Sequence, residues 1–414
     1  MTYRVLHLLD HSWPILDGYS QRSRSIVDSQ LQIGMQPHVL TGPSQLVDDP
    51  AATHLVLQGV PYSRTVGQTG IAGHMVRNRW PVLRELAVVQ LMKRRIEQLS
   101  DAGSFDVLHA HSPALCGLAA LGASRSRQIP FVYEIRSFWE DSAVVQGKTR
   151  HFSPRYLLGR GLETFVARRA NAVIGISSAI LKDLEARPVS SPKLFHVPNG
   201  VDTARFVPRA RDTALATELG VAGVPTIGYL GTLFPWEGIP WLVRAASELY
   251  HSGTKFKLLI VGDGAAASEV RKTIAALEAQ EYASFLGRIP HNQVERYYSV
   301  MDVLVYPRLN VRTSEIVTPL KPLEAMALGK PVLGSGVGGI RELIDPEVTG
   351  LLFEPESIPD FCRQTSRLLQ DRVLRSKLGS QARQVVAREK DWKVLARLYE
   401  GIYDEAVRNH GSRG

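Results

Sequence analysis

The chain has 414 residues, of which 44% are hydrophobic, and it carries a net charge of +9. This length exceeds what one hydrophobic core usually serves, and the apolar content excludes a disordered chain, so two folded domains are expected. The two cysteines, Cys116 and Cys362, lie far apart without metal-ligand spacing, which argues against a disulfide framework and favours a reducing compartment.

Short apolar runs alternate with helical segments along the whole chain. The first series of predicted strands lies at residues 3–9, 37–40, 107–110, 131–135, 172–176 and 193–197. The second series lies at residues 226–230, 256–261, 283–285, 302–306, 331–334 and 350–353. Two series of strand–helix units predict an α/β protein with two doubly wound, Rossmann-like parallel sheets. Such sheets bind ligands beyond the carboxyl ends of their strands, so we expect two such edges to face each other across a cleft.

The domain boundary is expected near residues 198–208, where Pro and Gly bracket a short loop. The N-terminal domain then covers residues 1–198 and the C-terminal domain residues 199–391, followed by a predicted helix at residues 392–410. Residues 1–198 hold 22 Lys and Arg against 15 Asp and Glu, a net charge of +7. This excess predicts an anionic partner, such as a lipid headgroup or a phosphate-bearing acceptor, whereas nucleic acid is disfavoured because no recognised binding motif occurs.

The loop after the first strand, residues 10–24, contains Gly18 and Tyr19. Gly18 stands where a strand-to-helix loop would pass close to a phosphate or an acceptor, and Tyr19 is a candidate for the acceptor side. A single Gly here is also typical of an ordinary turn, and both interpretations stay open.

Residues 74–99 combine six Lys and Arg with an apolar stripe, which predicts a basic helix. This helix either contacts an anionic membrane or a lipid phosphate, or is an ordinary solvated helix that covers a core. The first residues carry no basic leader, and no run approaches the ~20 apolar residues of a spanning helix. We therefore expect a cytoplasmic protein that is either free or peripheral at the inner face of the membrane.

Two polar groups of residues follow strands of the N-terminal domain. His109 and His111 close one strand, and we interpret their spacing as placing them on different faces, which argues against a shared metal ion. His111 is the candidate for the cleft, with an ordinary core or surface histidine as the alternative. After the next strand, Glu134 and Arg136 either line the acceptor side, together with nearby acidic residues, or belong to a solvated ion-pair rim.

Glycine-containing loops follow several strands of the C-terminal domain. Residues 228–238 include Thr232 and Glu237, and the loops at residues 261–264 and 287–290 include Gly262 and Arg288. Residues 334–342 are also rich in Gly, which lets a backbone approach a phosphate or a sugar. None of these loops identifies a ligand by itself.

Residues 307–324 place two carboxylates, Glu315 and Glu324, around a predicted helix start near Leu323. Three cations lie among them: Arg308, Arg312 and Lys321. Exposed amides at a helix start attract phosphate oxygens, and carboxylates accept hydrogen bonds from hydroxyls. The stretch therefore predicts a ligand that carries both groups, which describes a nucleotide-activated sugar.

The run Glu-Ala-Met-Ala-Leu-Gly-Lys-Pro-Val at residues 324–332 resembles the acidic motif of family 4 retaining glycosyltransferases of the GT-B fold. In that family seven residues separate the two Glu, whereas eight separate Glu315 from Glu324. The resemblance extends through His-Ala-His-Ser-Pro at residues 109–113 and Tyr-Glu-Ile-Arg at residues 133–136 over nearly the whole chain. It is greatest for the glycosyltransferases that accompany exosortase systems in bacterial exopolysaccharide clusters.

The resemblance implies sugar transfer, with retention, from a nucleotide sugar to a glycan or lipid-linked acceptor. It implies a UDP-sugar donor, no metal or other cofactor, acceptor binding by the N-terminal domain completed by the final helix, and donor binding by the C-terminal domain. The implied catalytic residues are His111, Glu315 and Glu324. The implied diphosphate contacts are Gly18, Thr232, Arg308, Arg312, Lys321 and Leu323. The implied nucleoside contacts are Gly262, Arg288 and Glu324.

One departure from the family leaves an alternative open. Many members hold the diphosphate with an Arg and a Lys at the positions where this chain has Thr232 and Glu237. Either other cations replace that pair, or the protein is a non-catalytic GT-B module that binds a nucleotide sugar or scaffolds a partner enzyme.

Overall fold

The computed structural model describes residues 2–15, 17–43, 45, 54–65 and 81–411. These residues form two compact units, one drawn from Met1–Pro198 and Trp392–Gly414 and the other from Asn199–Asp391. The chain leaves the first unit after Pro198 and returns to it at Trp392. Each unit contains one sheet, and each is described by itself below.

The sheet of the first unit has the strand order β3-β4-β2-β1-β5-β6-β7-β8. Its strands are β1 (Arg4–Leu9), β2 (Gln36–Thr41), β3 (His54–Leu57), β4 (Val60–Arg64), β5 (Val107–His111), β6 (Phe131–Ile135), β7 (Ala172–Gly175) and β8 (Leu194–His196). The helices before the second unit are α1 (Gly18–Gln32), α2 (Pro81–Ala102), α3 (Ala114–Arg127), α4 (Trp139–Val145), α5 (Pro154–Arg169) and α6 (Ser178–Ala186). All the strand pairs are parallel except β3 with β4.

The antiparallel pair β3–β4 corrects the prediction of a wholly parallel sheet. Gln58 and Gly59 connect the two strands, both with positive φ, as a two-residue hairpin turn requires. Strand β3 lies at the edge of the sheet, and its residues are alternately exposed and half-buried. This strand is only four residues long and none of its residues is buried, so it gave a weaker signal than the buried strands.

The second unit contains a wholly parallel sheet with the order β11-β10-β9-β12-β13-β14. Its strands are β9 (Thr226–Leu230), β10 (Lys257–Val261), β11 (Ala283–Gly287), β12 (Val303–Tyr306), β13 (Val332–Ser335) and β14 (Leu351–Phe353). Its helices are α7 (Thr213–Glu218), α8 (Ile239–His251), α9 (Ala267–Ala276), α10 (Val294–Ser299), α11 (Arg312–Ile316), α12 (Lys321–Ala327), α13 (Gly338–Arg341), α14 (Ile358–Gln370) and α15 (Arg372–Glu389). Two Rossmann-like α/β units are therefore confirmed.

The last helix, α16 (Trp392–Gly411), belongs to the first unit. Its buried face packs against residues of β1, β5, β6 and β7, including Val5, Val132 and Ile174. Burial of this apolar stripe fixes the helix on the sheet. The packing also places the hydroxyls of Tyr399 and Tyr403 next to polar side chains of the strands.

Candidate functional site

In the second unit, the first turn of α12 holds an ion pair between two residues that the sequence analysis singled out. Lys321 Nζ lies 2.9 and 3.0 Å from the two carboxylate oxygens of Glu324. The Lys321 side chain is 26% exposed and that of Glu324 is 7% exposed. Tyr298 donates its hydroxyl hydrogen bond to Glu324 Oε2 at 3.2 Å, and Tyr306 donates to the backbone oxygen of Lys321 at 2.9 Å. A partly exposed ammonium group therefore lies beside a carboxylate that the two tyrosines help to position.

The loop after β9 passes directly beside Lys321. A Cβ atom placed on Gly231 would lie 3.4 Å from Lys321 Cγ and 2.9 Å from the hydroxyl of Tyr229. The same hydroxyl donates to the backbone oxygen of Thr232, at 3.0 Å, and Thr232 itself is exposed. The loop that contains Thr232 is therefore next to the Lys321–Glu324 pair.

The loops after β10 and β11 lie next to that loop in turn. Gly262 has a φ of +139°, and a Cβ there would lie 1.8 Å from the Gly231 oxygen. Glycine is therefore required at this position for contact between two loops, irrespective of any ligand. The Gly262 N–H donates to the Gly287 oxygen at 2.8 Å, and the exposed Arg288 follows Gly287 in the chain. Contacts thus connect the start of α12 at Lys321 with the loops that contain Thr232, Gly262 and Arg288.

Arg308 belongs to a separate, buried ion pair. Its Nη2 lies 2.7 Å from Glu237 Oε1, and its Nη1 donates to the Val317 oxygen at 2.7 Å. The side chains of Arg308 and Glu237 are 6% and 10% exposed. Glu237, which departs from the family pattern, is therefore the counter-ion of Arg308. This pairing satisfies the charge of Arg308 within the protein, so Lys321 is the more available of the two cations.

Glu315 lies on α11 beside the Gly-rich segment. The Gly338 N–H donates to Glu315 Oε2 at 2.9 Å, and a Cβ on Gly338 would lie 2.4 Å from the Glu315 backbone oxygen. These contacts explain the glycine without a ligand. Arg312 is half-buried at the start of α11. Leu323 is buried, and its N–H donates to the Leu320 oxygen at 3.1 Å, so this amide is already hydrogen-bonded.

In the first unit, Glu134 is the centre of a buried polar network. Its Oε1 accepts hydrogen bonds from Arg22 Nε at 3.1 Å and from Arg136 Nε at 2.9 Å, and its Oε2 accepts one from the Tyr399 hydroxyl at 2.9 Å. The Glu134 side chain is fully buried, and those of Arg22 and Arg136 are 2% and 7% exposed. A solvated ion-pair rim, one of the two alternatives for Glu134 and Arg136, is therefore wrong.

The arginines of this network determine the ionisation of Glu134. Burial alone would raise the pKa of Glu134, but Arg22 and Arg136 outweigh burial and hold it well below its ordinary value. Glu134 is therefore ionised at neutral pH, with two cations sharing one carboxylate. A buried charge of this kind is tolerated only because several partners contact it.

Three histidines complete the network. Because β1, β5 and β6 are neighbours, His7 is in register with His109, and His111 with Glu134. The rings of His109 and His111 stack with their centroids 4.2 Å apart. The prediction that these two residues lie on different faces is wrong, because residues two apart on a strand share a face. Burial lowers the pKa of His7 to about 4 and, with help from Arg136, that of His111 to about 3.

The nitrogens of the three histidines lie close enough together to hold a metal ion, but those of His7 and His111 already form hydrogen bonds within the protein. One ring nitrogen each from His7, His109 and His111 lies within 4.8 Å of the others. Arg136 donates to His111 Nδ1 at 2.7 Å, so His111 Nε2 carries the proton and donates to His7 Nδ1 at 3.0 Å. His7 Nε2 then donates to Gln30 at 2.8 Å. Both nitrogens of the buried His111 are thus occupied within the unit.

Arg22 extends the network to both places where the chain crosses between the units. It donates to the Val197 oxygen at 3.0 Å and to the Pro198 oxygen at 2.9 Å, the last residues before the first crossing. Its guanidinium also lies 5.2 Å from the ring centroid of Trp392, the first residue after the second crossing. The sequence analysis missed Arg22, His7 and Tyr399. A polar side chain inside an otherwise apolar strand, as His7 is in β1, was the only local signal.

Tyr19 and Gly18 lie at the start of α1, beside this network. Arg136 donates to the Tyr19 backbone oxygen at 2.8 Å and lies 4.5 Å from the centroid of its ring. Gly18 is the exposed first residue of the helix, which Asp17 caps through the Ser20 N–H. The structure thus brings Tyr19 together with Glu134 and Arg136, the three residues predicted for the acceptor side.

Two family models match the chain. The model described as "Glycosyltransferase Family 4" matches residues 32–205, and that described as "Glycosyl transferases group 1" matches residues 224–371. The second range includes Lys321 and Glu324, and the first includes Glu134 and Arg136. The protein is a glycosyltransferase.

Curated relatives of this glycosyltransferase include two mannosyltransferases. The GDP-mannose-dependent alpha-mannosyltransferase of Mycolicibacterium smegmatis is 28% identical over 308 residues, which cover 73% of this chain and 72% of the relative. The protein of the same description from Mycobacterium tuberculosis is 31% identical over 253 residues, which cover 60% of each chain.

Solved structures show the same fold. Sucrose-phosphate synthase from Thermosynechococcus elongatus has a TM-score of 0.76 and 21% identity, and the match covers 97% of this chain and 98% of the other. Anabaena Alr3699/HepE, solved in complex with UDP, has a TM-score of 0.75 and 20% identity, with 96% and 98% covered. The GT-B fold class is therefore confirmed.

Proposed function

We propose that this glycosyltransferase moves a sugar, with retention at the anomeric carbon, from a nucleotide sugar to a glycan or lipid-linked acceptor. The observation that carries the proposal is the Lys321–Glu324 pair in the first turn of α12, which offers an ammonium group to phosphate and a carboxylate to hydroxyls. A setting in exopolysaccharide biosynthesis, of the kind served by exosortase-associated members, rests on the sequence resemblance.

The chemistry requires stabilisation of a leaving group. The bond between the anomeric carbon and the diphosphate oxygen breaks, the acceptor hydroxyl oxygen bonds to the anomeric carbon, and the departing nucleoside diphosphate takes up the hydroxyl proton. Lys321 turns from Glu324 to the diphosphate, where its charge stabilises the negative charge that develops. Glu324, released from Lys321, accepts hydrogen bonds from the ribose hydroxyls, and Glu315 serves the sugar hydroxyls. No metal or other cofactor is required in this scheme.

The donor base and the place of action are also part of the proposal. A UDP-sugar follows from the resemblance, whereas the two mannosyltransferases described above are named as GDP-mannose-dependent, so both donors enter the test. The protein is proposed to act in the cytoplasm, free or peripheral at the membrane, with α2 as one contact. Helix α2 is described from Pro81 onward, so residues 74–80 of the predicted basic helix lie outside the described residues. No helix within the described residues is long and apolar enough to span a membrane.

A panel of nucleotide sugars tests the proposal. We expect one nucleotide class among UDP-, GDP-, ADP- and TDP-sugars to raise the melting temperature of the wild type, since a ligand at 100 times its Kd stabilises by about 2.7 kcal/mol. Lys321→Ala should lose this shift, whereas Lys377→Ala, which removes an exposed lysine of α15, should keep it. The stabilising donor should also release its nucleoside diphosphate when acceptor glycolipid is added, before and after treatment with EDTA. A wild type that responds to no donor, or turnover that EDTA abolishes, would contradict the proposal.

A further inference from the structure

The first unit exposes an unusual set of large apolar side chains around α4 and α5. Their exposed fractions run from 39% to 80%: Phe165 39%, Trp139 46%, Leu157 52%, Leu158 59% and Phe152 80%. Phe152 also has a φ of +60°, a conformation that bulky residues rarely adopt. The loop between α4 and α5 therefore holds an aromatic ring in water at the expense of backbone strain. We call these five residues and the cations among them the α5 surface.

The same segment is strongly basic. Residues 146–169 contain one acidic residue, Glu163, which is buried, and six cations: Lys148, Arg150, Arg155, Arg160, Arg168 and Arg169. Four of the six are exposed, namely Lys148, Arg150, Arg155 and Arg168. Arg160 pairs with Asp183 at 3.4 Å, and the Arg169 guanidinium lies 3.6 Å from the centroid of the Phe165 ring. Exposed apolar groups and unbalanced positive charge thus occur together.

A cavity joins this surface to the start of α2. The cavity has a volume of about 220 Å³, and its lining includes Trp139, Lys148, Arg155 and Leu158 together with Arg84 of α2. Next to Arg84, three further apolar side chains are largely exposed: Leu83 44%, Leu86 55% and Val82 62%. The apolar and basic character therefore continues from α4 and α5 onto a neighbouring helix.

We propose that the α5 surface binds the surface of an anionic phospholipid bilayer. Phe152, Leu157 and Leu158 enter the interfacial region, and the surrounding cations contact lipid phosphates, as in interfacial amphipathic helices. Charge complementarity selects this occupant. A second copy of the same surface would meet like charges, and a neutral apolar partner would leave the cations without counter-ions. The proposal deepens the proposed function, because a lipid-linked acceptor is presented at such a surface.

Vesicle cosedimentation of the full-length protein tests this directly. We expect binding to vesicles of phosphatidylcholine with phosphatidylglycerol, little binding to phosphatidylcholine alone, and weakening of the former as salt is added. Two variants should each lower the affinity by about tenfold or more, since several groups act together. One is Phe152→Ser with Leu157→Ser and Leu158→Ser, and the other is Arg150→Glu with Arg155→Glu.

Matched controls come from the second unit. Val373 is 79% exposed on α15, and the exposed Arg372 precedes it. Val373→Ser and Arg372→Glu should therefore leave vesicle binding unchanged. Equal binding to both kinds of vesicle, no binding to either, or full binding by both surface variants would overturn the proposal. A soluble acidic protein that binds the wild type while vesicles do not would identify the surface as a protein interface instead.

Failure of this proposal can be distinguished from failure of the proposed function. The surface variants should keep the wild-type melting temperature and its shift with the nucleotide-sugar donor, because donor contacts are assigned to the second unit. If the wild type does not bind vesicles but its melting temperature still rises with the donor, only the membrane-binding proposal is overturned. If the wild type binds vesicles but no donor raises its melting temperature, only the sugar-transfer proposal is overturned.

Discussion

The two units use the same residue types, a carboxylate with basic partners, in different environments. Glu134 of the first unit is fully buried and contacts two arginines and a tyrosine, whereas Lys321 of the second unit is 26% exposed and pairs with one carboxylate. A fully buried ion cannot lose a partner without a large cost, but a partly exposed pair can exchange its partner for a ligand. We therefore interpret the Glu134 network as an anchor of the fold and the Lys321–Glu324 pair as the exchangeable site.

The largest expected effect is on stability, from removing the charge of Glu134. Glu134→Gln removes the buried negative charge that Arg22 and Arg136 both contact, so the free energy of unfolding should fall by about 3–5 kcal/mol in denaturant titrations. Glu97→Gln is the matched control, because Glu97 pairs with Lys93 at 3.5 Å in a partly exposed position. Its cost should stay below about 1 kcal/mol. If both variants lower the free energy of unfolding by the same amount, the Glu134 network is not an anchor of the fold.

Glu237→Gln should have the next largest effect. It leaves Arg308 buried without its counter-ion and should lower the free energy of unfolding by about 2–3 kcal/mol, with no gain in nucleotide affinity. Calorimetric titration of nucleotide alongside denaturation measures both quantities. A clearly tighter nucleotide complex would show that Glu237 withholds Arg308 from the donor, and would return Arg308 to the diphosphate site.

Glu324→Gln should affect activity more than stability. Loss of a charged hydrogen-bond acceptor for the donor should lower kcat/KM by 10–100-fold, which corresponds to about 1.5–3 kcal/mol. The free energy of unfolding should fall by less than in Glu237→Gln, because Lys321, the cation that loses its partner, is 26% exposed whereas Arg308 is 6% exposed. Steady-state kinetics with the donor that the panel identifies measures kcat/KM for the variant and the wild type. Unchanged kcat/KM would place the donor away from α12.

The most gradual expected effect is the pH dependence of stability that the buried His7 confers. Burial lowers the pKa of His7 from 6.5 to about 4, so the unfolded chain takes up a proton in this window and the folded chain does not. His7 therefore contributes stability above pH 6.5 that is lost as the pH falls towards 4, by up to about 1.4 kcal/mol for each pH unit. The stability advantage of the wild type over His7→Gln should shrink over this range. A constant difference would show that folding does not lower the pKa of His7.

The fold could be predicted from the sequence wherever a strand was apolar and buried. The strands at residues 131–135 and 226–230 have the predicted bounds, whereas β3 and β4 were missed. Strand β3 is a four-residue edge strand without a buried residue, and β4 contains a proline and ends in Ser63 and Arg64. The residues alone predicted the candidate site where its members are neighbours in sequence, as Lys321 and Glu324 are, whereas distant members such as Thr232 and Arg288 came only from the family resemblance.

Contacts between distant residues could not be predicted. Arg22 lies 112 positions from Glu134 in the chain, and Tyr399 lies 265 positions from it. Their contacts depend on the packing of α1 and α16 in the first unit, which no local pattern reports. For the same reason Arg308 was assigned to the diphosphate, since the sequence does not show that Glu237 lies beside it.

Calorimetric titration of the nucleoside diphosphate into three proteins tests the central claim most directly. These are the wild type, Lys321→Ala and Lys377→Ala, with the nucleotide taken from the donor that stabilises the wild type. We expect about 10–100-fold weaker binding by Lys321→Ala, from the loss of one charged contact, and unchanged binding by Lys377→Ala. Equal affinities for all three proteins would contradict the assignment of Lys321 and Glu324 as the exchangeable donor site.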